Sequence, residues 1–361
     1  MFTRLPMFLS LLLAALPCIA QAQPPFDPAA AQAILESAVA EGKLAGISAA
    51  IGKDGAILWS GGAGFANVEA QTPMTATTVH RIASISKPIA AVGAMLLVQD
   101  GKLALDQTLR QHVPTWPEAY LPITIAQMLS HTSGIRHYKG VESMSNTHYN
   151  TLLEALPVFQ ADAMIAVPGE KYIYSTYGYT ALGAAIEAAS GEPLHDLLKR
   201  RVWEPAGMAT TTFEFLGQEV PNRATGYTQR RGGKLVLPRP TDLSVKYPGG
   251  GMLSTAEDLV RFAQAFQADT LLSAETRALM LSPAKLNDGT ETGYGLGWNV
   301  GGMKDELTSY SHSGGQSGTS TNLTVYPDAG VVIAVICNVD EAFEQVGKAK
   351  EALRNLALPK P

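Results

Sequence analysis

Segments patterned as β-strands lie at both ends of this chain, and helical patterning occupies the long stretch between them. Near the start, residues 47–51 and 56–59 read as two strands joined by the Lys53-Asp54-Gly55 turn, a hairpin signal. Near the end, residues 322–326 and 330–337 read as two more, separated by Pro327-Asp328-Ala329-Gly330. Between them, residues 89–99 have strong helical spacing that stops at Asp100-Gly101, with Gly101 placed as a C-cap. Helical patterns dominate from about 88 to 210, as in 179–189 and 194–202. Ser254-Thr255-Ala256-Glu257 has a capping-box-like start for a helix reaching about Phe266. Residues 29–41 and about 342–356 supply a first and a last helix. Strands far apart in sequence bury their faces most economically in one sheet. The expectation is therefore a mixed α/β (α+β) fold with an antiparallel sheet built from both termini and flanked by helices. A sheet lobe of about 26–80 and 240–361 would face a mostly helical lobe of about 88–210, with a cleft between them for a small molecule.

The chain has 361 residues, 46% hydrophobic and 16% charged, which is ample for a sizeable core. Its net charge of −5 comes with no basic block or stripe, so nucleic acid is not an expected partner. Residues 1–22 read as a signal peptide: Arg4, an apolar run over 7–16, then Ala20-Gln21-Ala22, with Gln23 opening the mature chain. That run is too short to span a bilayer, and no later stretch reaches the roughly 18 apolar residues a membrane helix needs. Pro17 before Cys18 argues against a lipid anchor. Removal of the leader would leave Cys337 alone, so no internal disulfide is expected, and Cys337 in its apolar run reads as a core thiol. The expected location is the periplasm or the exterior.

Ser84-Ile85-Ser86-Lys87 fits S-x-x-K. Residues three apart share a helix face, so Lys87 can reach the Ser84 hydroxyl. A serine is a poor nucleophile until a neighbour takes its proton, and a desolvated lysine of lowered pKa can do so. Pro88 is tolerated only in a first helical turn, which puts the helix start close to Ser84 and a developing oxyanion at the positive end of the dipole. A second match, Ser282-Pro283-Ala284-Lys285, precedes Leu286-Asn287-Asp288-Gly289 rather than an amphipathic helix and reads as accidental. There is no G-x-S-x-G and no H-E-x-x-H.

In chain order, several further motifs accompany Ser84-Ile85-Ser86-Lys87. They are Leu129-Ser130-His131-Thr132-Ser133-Gly134, Pro168-Gly169-Glu170 with Tyr174-Ser175, Gly249-Gly250-Gly251, and His312-Ser313-Gly314-Gly315. The series resembles the class C β-lactamase-like and penicillin-binding serine hydrolases over roughly residues 35 to 340. The Tyr174–Thr180 run is similar to that of their mitochondrial serine β-lactamase-like branch. The resemblance implies a β-lactamase/D,D-peptidase-like fold for residues 23–361. It also implies Ser84 as acylated nucleophile, Lys87 as part of its base, and Tyr174 as the tyrosine of a Y-x-N motif sharing proton transfer. His312, Ser313 and Gly314 would stand for K-T-G, with histidine bringing a weaker, titratable charge near pH 7. The N–H groups of Ser84 and Gly315 would form the oxyanion hole. Thr176 stands where the family has asparagine, which weakens the case for β-lactam side chains.

Tyr177 is the alternative phenol. His131 reads as shaping its loop, and the triple glycine as a close backbone approach rather than a phosphate loop. Neither metal nor organic cofactor is implied. The expected partner is a small-molecule or peptide substrate, possibly derived from cell wall or a β-lactam. Peptidase activity ranks first, carboxylesterase second and β-lactamase third. A non-catalytic peptidoglycan- or peptide-binding protein is the rival from another class. The oligomeric state stays open.

Overall fold

The structure, a computed structural model, describes residues 25–118 and 120–358. The expected leader, with Cys18, lies outside the described residues.

Seven antiparallel strands form the main sheet. In chain order they are β1 (Gly46–Lys53), β2 (Ala56–Asn67), β3 (Thr72–Pro73), β4 (Asn299–Lys304), β5 (Leu307–Gln316), β6 (Thr319–Tyr326) and β7 (Val331–Cys337). Their order across the sheet is β3-β2-β1-β7-β6-β5-β4. The two terminal hairpins meet where β1 pairs with β7, Ala49 opposite Val335. The run Val331–Cys337 is apolar throughout because β7 is central and covered on both faces. Ile333, Val335 and Cys337 pack with Leu35, Val346 and Leu353, from helices α1 (Pro28–Gly42) and α5 (Phe343–Ala357). Val332, Ala334 and Ile336 face the larger core, with Phe262 and Phe266 from α4 (Ala256–Gln267). Cys337 is a buried free thiol whose pKa burial pushes up to about 12.

Helices α2 (Ser86–Gln99) and α3 (Thr176–Ser190) form the heart of the other half. Residues 101–175 are less helical than their patterning suggests. The described residues of this stretch contain only short turns such as Leu109–His112 and Ile125–Leu129, because Pro114, Pro117, Pro122, Pro157 and Pro168 interrupt any longer run. Thr255, not Ser254, caps α4, its hydroxyl accepting from the Asp258 N–H at 3.1 Å. The strand 299–304 had no counterpart in the sequence reading. No helix among the described residues is long and apolar enough to cross a membrane.

Candidate active site

A cavity of about 610 Å³ opens between the two halves, lined by Ser84, Tyr174, Thr176, Gly249 and Gly314, among others. Ser84 lies in a single 3₁₀ turn, Ala83–Ile85, that runs directly into α2. The residue before it, Ala83, adopts φ +47°, a left-handed conformation that disfavours a Cβ by about 1–2 kcal/mol. Surrounding contacts hold this turn. Thr319 Oγ1 donates to Arg81 O (2.8 Å) and Thr321 Oγ1 to Ile82 O (3.2 Å), so two hydroxyls on one face of β6 grip the chain just ahead of Ser84. The Arg81 guanidinium makes a two-point pair with Glu214 (2.7 and 2.6 Å) and donates to Ser317 O.

The two serines of the motif have different fates. Ser86 is fully buried, donates to Ala83 O at 2.7 Å, and accepts from Met252 N–H. Ser84 lines the cavity.

Lys87 is fully buried one turn beyond Ser84, and its Nζ has three oxygen neighbours: Gly249 O at 2.6 Å, Ser84 Oγ at 3.0 Å and Thr176 Oγ1 at 3.2 Å. It also lies 4.7 Å from the centre of the Tyr174 ring. Burial, reinforced by the charge of Lys246, holds its pKa well below the ordinary lysine value. A neutral amine has two N–H donors and one lone pair. Gly249 O can only accept and Thr176 Oγ1 is free to do so, which leaves the lone pair for the Ser84 O–H. The glycine at 249 is required for this contact: a Cβ there would come within 2.7 Å of Thr176 Cγ2.

Tyr174 and Thr176 reach this cluster together because Ser175, the N-cap of α3, is extended (φ −140°, ψ 116°), so its two neighbours project to the same side. Burial raises the Tyr174 phenol well above the ordinary tyrosine value, and the Ser84 hydroxyl beside it acts in the opposite direction. Tyr177 points away, stacking on Phe159 at 4.5 Å and donating to Glu142 Oε2. His131 accepts the Ser175 N–H through Nδ1 at 3.1 Å, a loop-shaping contact.

On β5, Gly314 is packed so tightly against the nucleophile turn that a Cβ would lie 2.9 Å from Ser84 N and 2.6 Å from Ile82 O. Ser313 and Gly315 line the cavity beside it. His312 departs from the expectation of a titratable cation. Its ring is buried outside the cavity lining, with its centre 6.3 Å from that of the Tyr174 ring. Nδ1–H donates to Ser313 O at 2.7 Å, and Nε2 accepts from the Tyr294 hydroxyl at 2.9 Å. Burial first, then the charge of Lys87, depress its pKa to about 3, so the ring is neutral. The second S-x-x-K match is scattered: Ser282 ends one helix, while Lys285 is solvent-exposed and pairs with Glu291.

Among the cavity residues that escaped the sequence reading are two bases, His137 and Lys246. His137 accepts the Thr176 N–H at Nδ1 (3.1 Å), and burial lowers its pKa to about 4. Lys246 is 3% exposed and donates from Nζ to Ser143 O at 2.9 Å; burial and then Arg81 lower its pKa to about 8. Neither belongs to a recurring spacing. A lysine between Val245 and Tyr247, just before the triple glycine, was the one available hint.

A family model described as Beta-lactamase matches residues 31–358. The human mitochondrial serine beta-lactamase-like protein LACTB is 28% identical, over 86% of this chain and 75% of its own. Esterase EstB of Burkholderia gladioli is also 28% identical, over 74% and 77%. Among solved structures, the D-amino acid amidase of Ochrobactrum anthropi SV3, complexed with L-phenylalanine amide, superposes with a TM-score of 0.78. It is 26% identical, with 91% of this chain and 98% of that one covered.

Proposed function

The chain belongs to the Beta-lactamase family and is a serine hydrolase; from that premise we propose that it cleaves small amide substrates through an acyl-enzyme on Ser84. The observation that carries this reading is the Lys87 amine, buried with no carboxylate partner in its hydrogen-bond set and 3.0 Å from the Ser84 hydroxyl.

Lys87 Nζ takes the Ser84 proton as Oγ attacks the carbonyl carbon. The carbonyl electron pair moves to oxygen, which the N–H groups of Ser84 and Gly315 receive; such donors contribute roughly 3–4 kcal/mol each in comparable hydrolases. The tetrahedral adduct collapses, breaking the bond to the leaving nitrogen, which gains a proton relayed from Lys87 through the Tyr174 phenol. Water then attacks the ester, its proton passing to the same amine, and Ser84 leaves with a proton. Gly249 O and Thr176 Oγ1 aim the amine throughout.

Thr176 offers a short hydroxyl where an amide would bind a lactam side chain, which ranks short peptides and amino acid amides above β-lactams. An esterase reading is favoured by the Burkholderia relative and needs the same groups with a better leaving oxygen. A fluorophosphonate probe should add its mass at Ser84. Turnover of a D-Ala-D-Ala peptide, a p-nitrophenyl ester and nitrocefin then ranks the substrates. A protein that never gains the probe mass between neutral and mildly alkaline pH would refute the assignment of Ser84. Export is proposed with it, on the pattern of residues 1–22.

A further inference from the structure

The cavity wall contains a cation that the acyl-transfer steps leave unused. Lys246 precedes the turn Tyr247–Gly250, and its side chain lines the same cavity as Ser84. Its Nζ touches Ser143 O and lies 5.4 Å from the centre of the Tyr138 ring, two more cavity residues. The carboxylate that acts on it, Glu214, is already held by Arg81 and Arg223. Among the described residues, then, Lys246 has no ion-pair partner of its own. An ammonium out of water with one carbonyl contact is costly unless something else completes its surroundings. A Cβ built on Gly250 would lie 3.8 Å from Ala83 C and 3.9 Å from Lys246 Cδ, which places the lysine side chain beside the nucleophile turn, and its charge lowers the pKa of both Lys87 and His137. The carboxylates of Asp340 and Glu341 line the cavity too, on the β7–α5 connection. The β5 position expected to supply a cation, His312, is neutral and bonded to Tyr294.

We propose that Lys246 is the anion-binding group of this cavity, so that the favoured substrates carry a carboxylate close to the scissile carbonyl. This rests on Ser84 being the nucleophile of the same cavity. A carboxylate supplies two acceptor oxygens to the two N–H donors that Ser143 leaves free. It also removes the charge imbalance beside Lys87 at the moment the amine takes up a proton. The carboxylate can sit on the acyl side or on the leaving group, and matched substrate pairs separate the two.

The test compares kcat/KM for p-nitrophenyl hydrogen glutarate against p-nitrophenyl butyrate, and for a D-Ala-D-Ala peptide against its C-terminal amide. At least one pair should favour the anionic member by roughly tenfold or more in the native enzyme, chiefly through KM. Lys246→Met should reduce that ratio about tenfold, and Lys246→Arg should keep most of it. An unchanged ratio in Lys246→Met, or no anionic preference in either pair, overturns the inference. Fluorophosphonate labelling of Ser84 is run on all three proteins. Labelling without an anionic preference rejects only the role of Lys246. Absence of labelling in the native protein rejects the nucleophile and this proposal together. Labelling of the variants to completion shows that the fold and nucleophile survive; Lys246 also lowers the Lys87 pKa, which alters the rate on both members of a pair alike, so a changed ratio is a change in recognition.

Discussion

The Ser84 hydroxyl and the Lys87 amine lie 3.0 Å apart inside one helical turn, with the amine fully buried and the hydroxyl facing the cavity. The contact is local in sequence, but its chemistry is not. The amine is desolvated by α3 and by the Gly249 segment, and its other two hydrogen bonds go to those elements.

Ser84→Ala is expected to abolish probe labelling and lower kcat on the order of 10³-fold or more, without loss of thermal stability. Ser86→Ala should do the reverse. It keeps labelling, but loses the bonds to Ala83 O and Met252 N–H, costing about 1–3 kcal/mol in a urea titration. Labelling that moves to Ser86, or persists in Ser84→Ala, contradicts the assignment.

The depressed pKa of Lys87 places the acidic limb of kcat/KM well below the ordinary lysine range, because only the neutral amine accepts the serine proton. The sign for stability is opposite to that of a stabilising ion pair. The unfolded chain binds this proton up to about pH 10.5 and the folded one resists it, so folding loses free energy throughout that window. Lys87→Met should therefore be inactive yet melt higher at pH 7. A lower melting temperature in differential scanning calorimetry would show that its hydrogen bonds outweigh its desolvation.

Gly314→Ala should cut kcat about 10²-fold, since the new Cβ meets Ile82 O and Ser84 N, backbone atoms that cannot move without displacing the nucleophile. Gly315→Ala meets the Phe343 ring instead, a side chain 49% exposed and able to turn away. It should be milder, and rescued in a Gly315→Ala/Phe343→Ala double variant. Equal losses at the two positions, measured by steady-state kinetics, would count against the packing argument.

His312 and His80 both stay neutral to about pH 3 because burial disfavours their charge, while in the unfolded chain each protonates near 6.5. Stability is unaffected above that value and falls as pH drops from 6.5 toward 3, by up to about 1.4 kcal/mol per pH unit for each histidine. Urea midpoints between pH 7 and 5 should decline, and His312→Gln should flatten the decline. If His312 were instead the cavity cation, that variant would leave the slope unchanged and erase an activity limb near neutrality.

Expressed in a bacterium, the protein is expected to be recovered with Gln23 as its first residue; intact-mass measurement of an unprocessed chain would reject the proposed leader.

The strand-like ends and the S-x-x-K motif were legible in the sequence because they are short-range. A period of two, a turn glycine, or a lysine three residues past a serine each declares itself within one window, and the resemblance to serine hydrolases rested on such windows. Where a side chain points across elements is decided by packing, which no window contains. His312 kept its motif position, yet it is neutral because it is buried, and its Nε2 is met by the hydroxyl of Tyr294, from a segment 18 residues away. Lys246 has no motif at all, and it reaches the cavity only because Ser143 and Tyr138, about a hundred residues earlier, fold over it. Desolvation sets the pKa of both groups, and the water excluded from a site depends on every element that closes it, so the charges in this cavity belong to the tertiary structure alone.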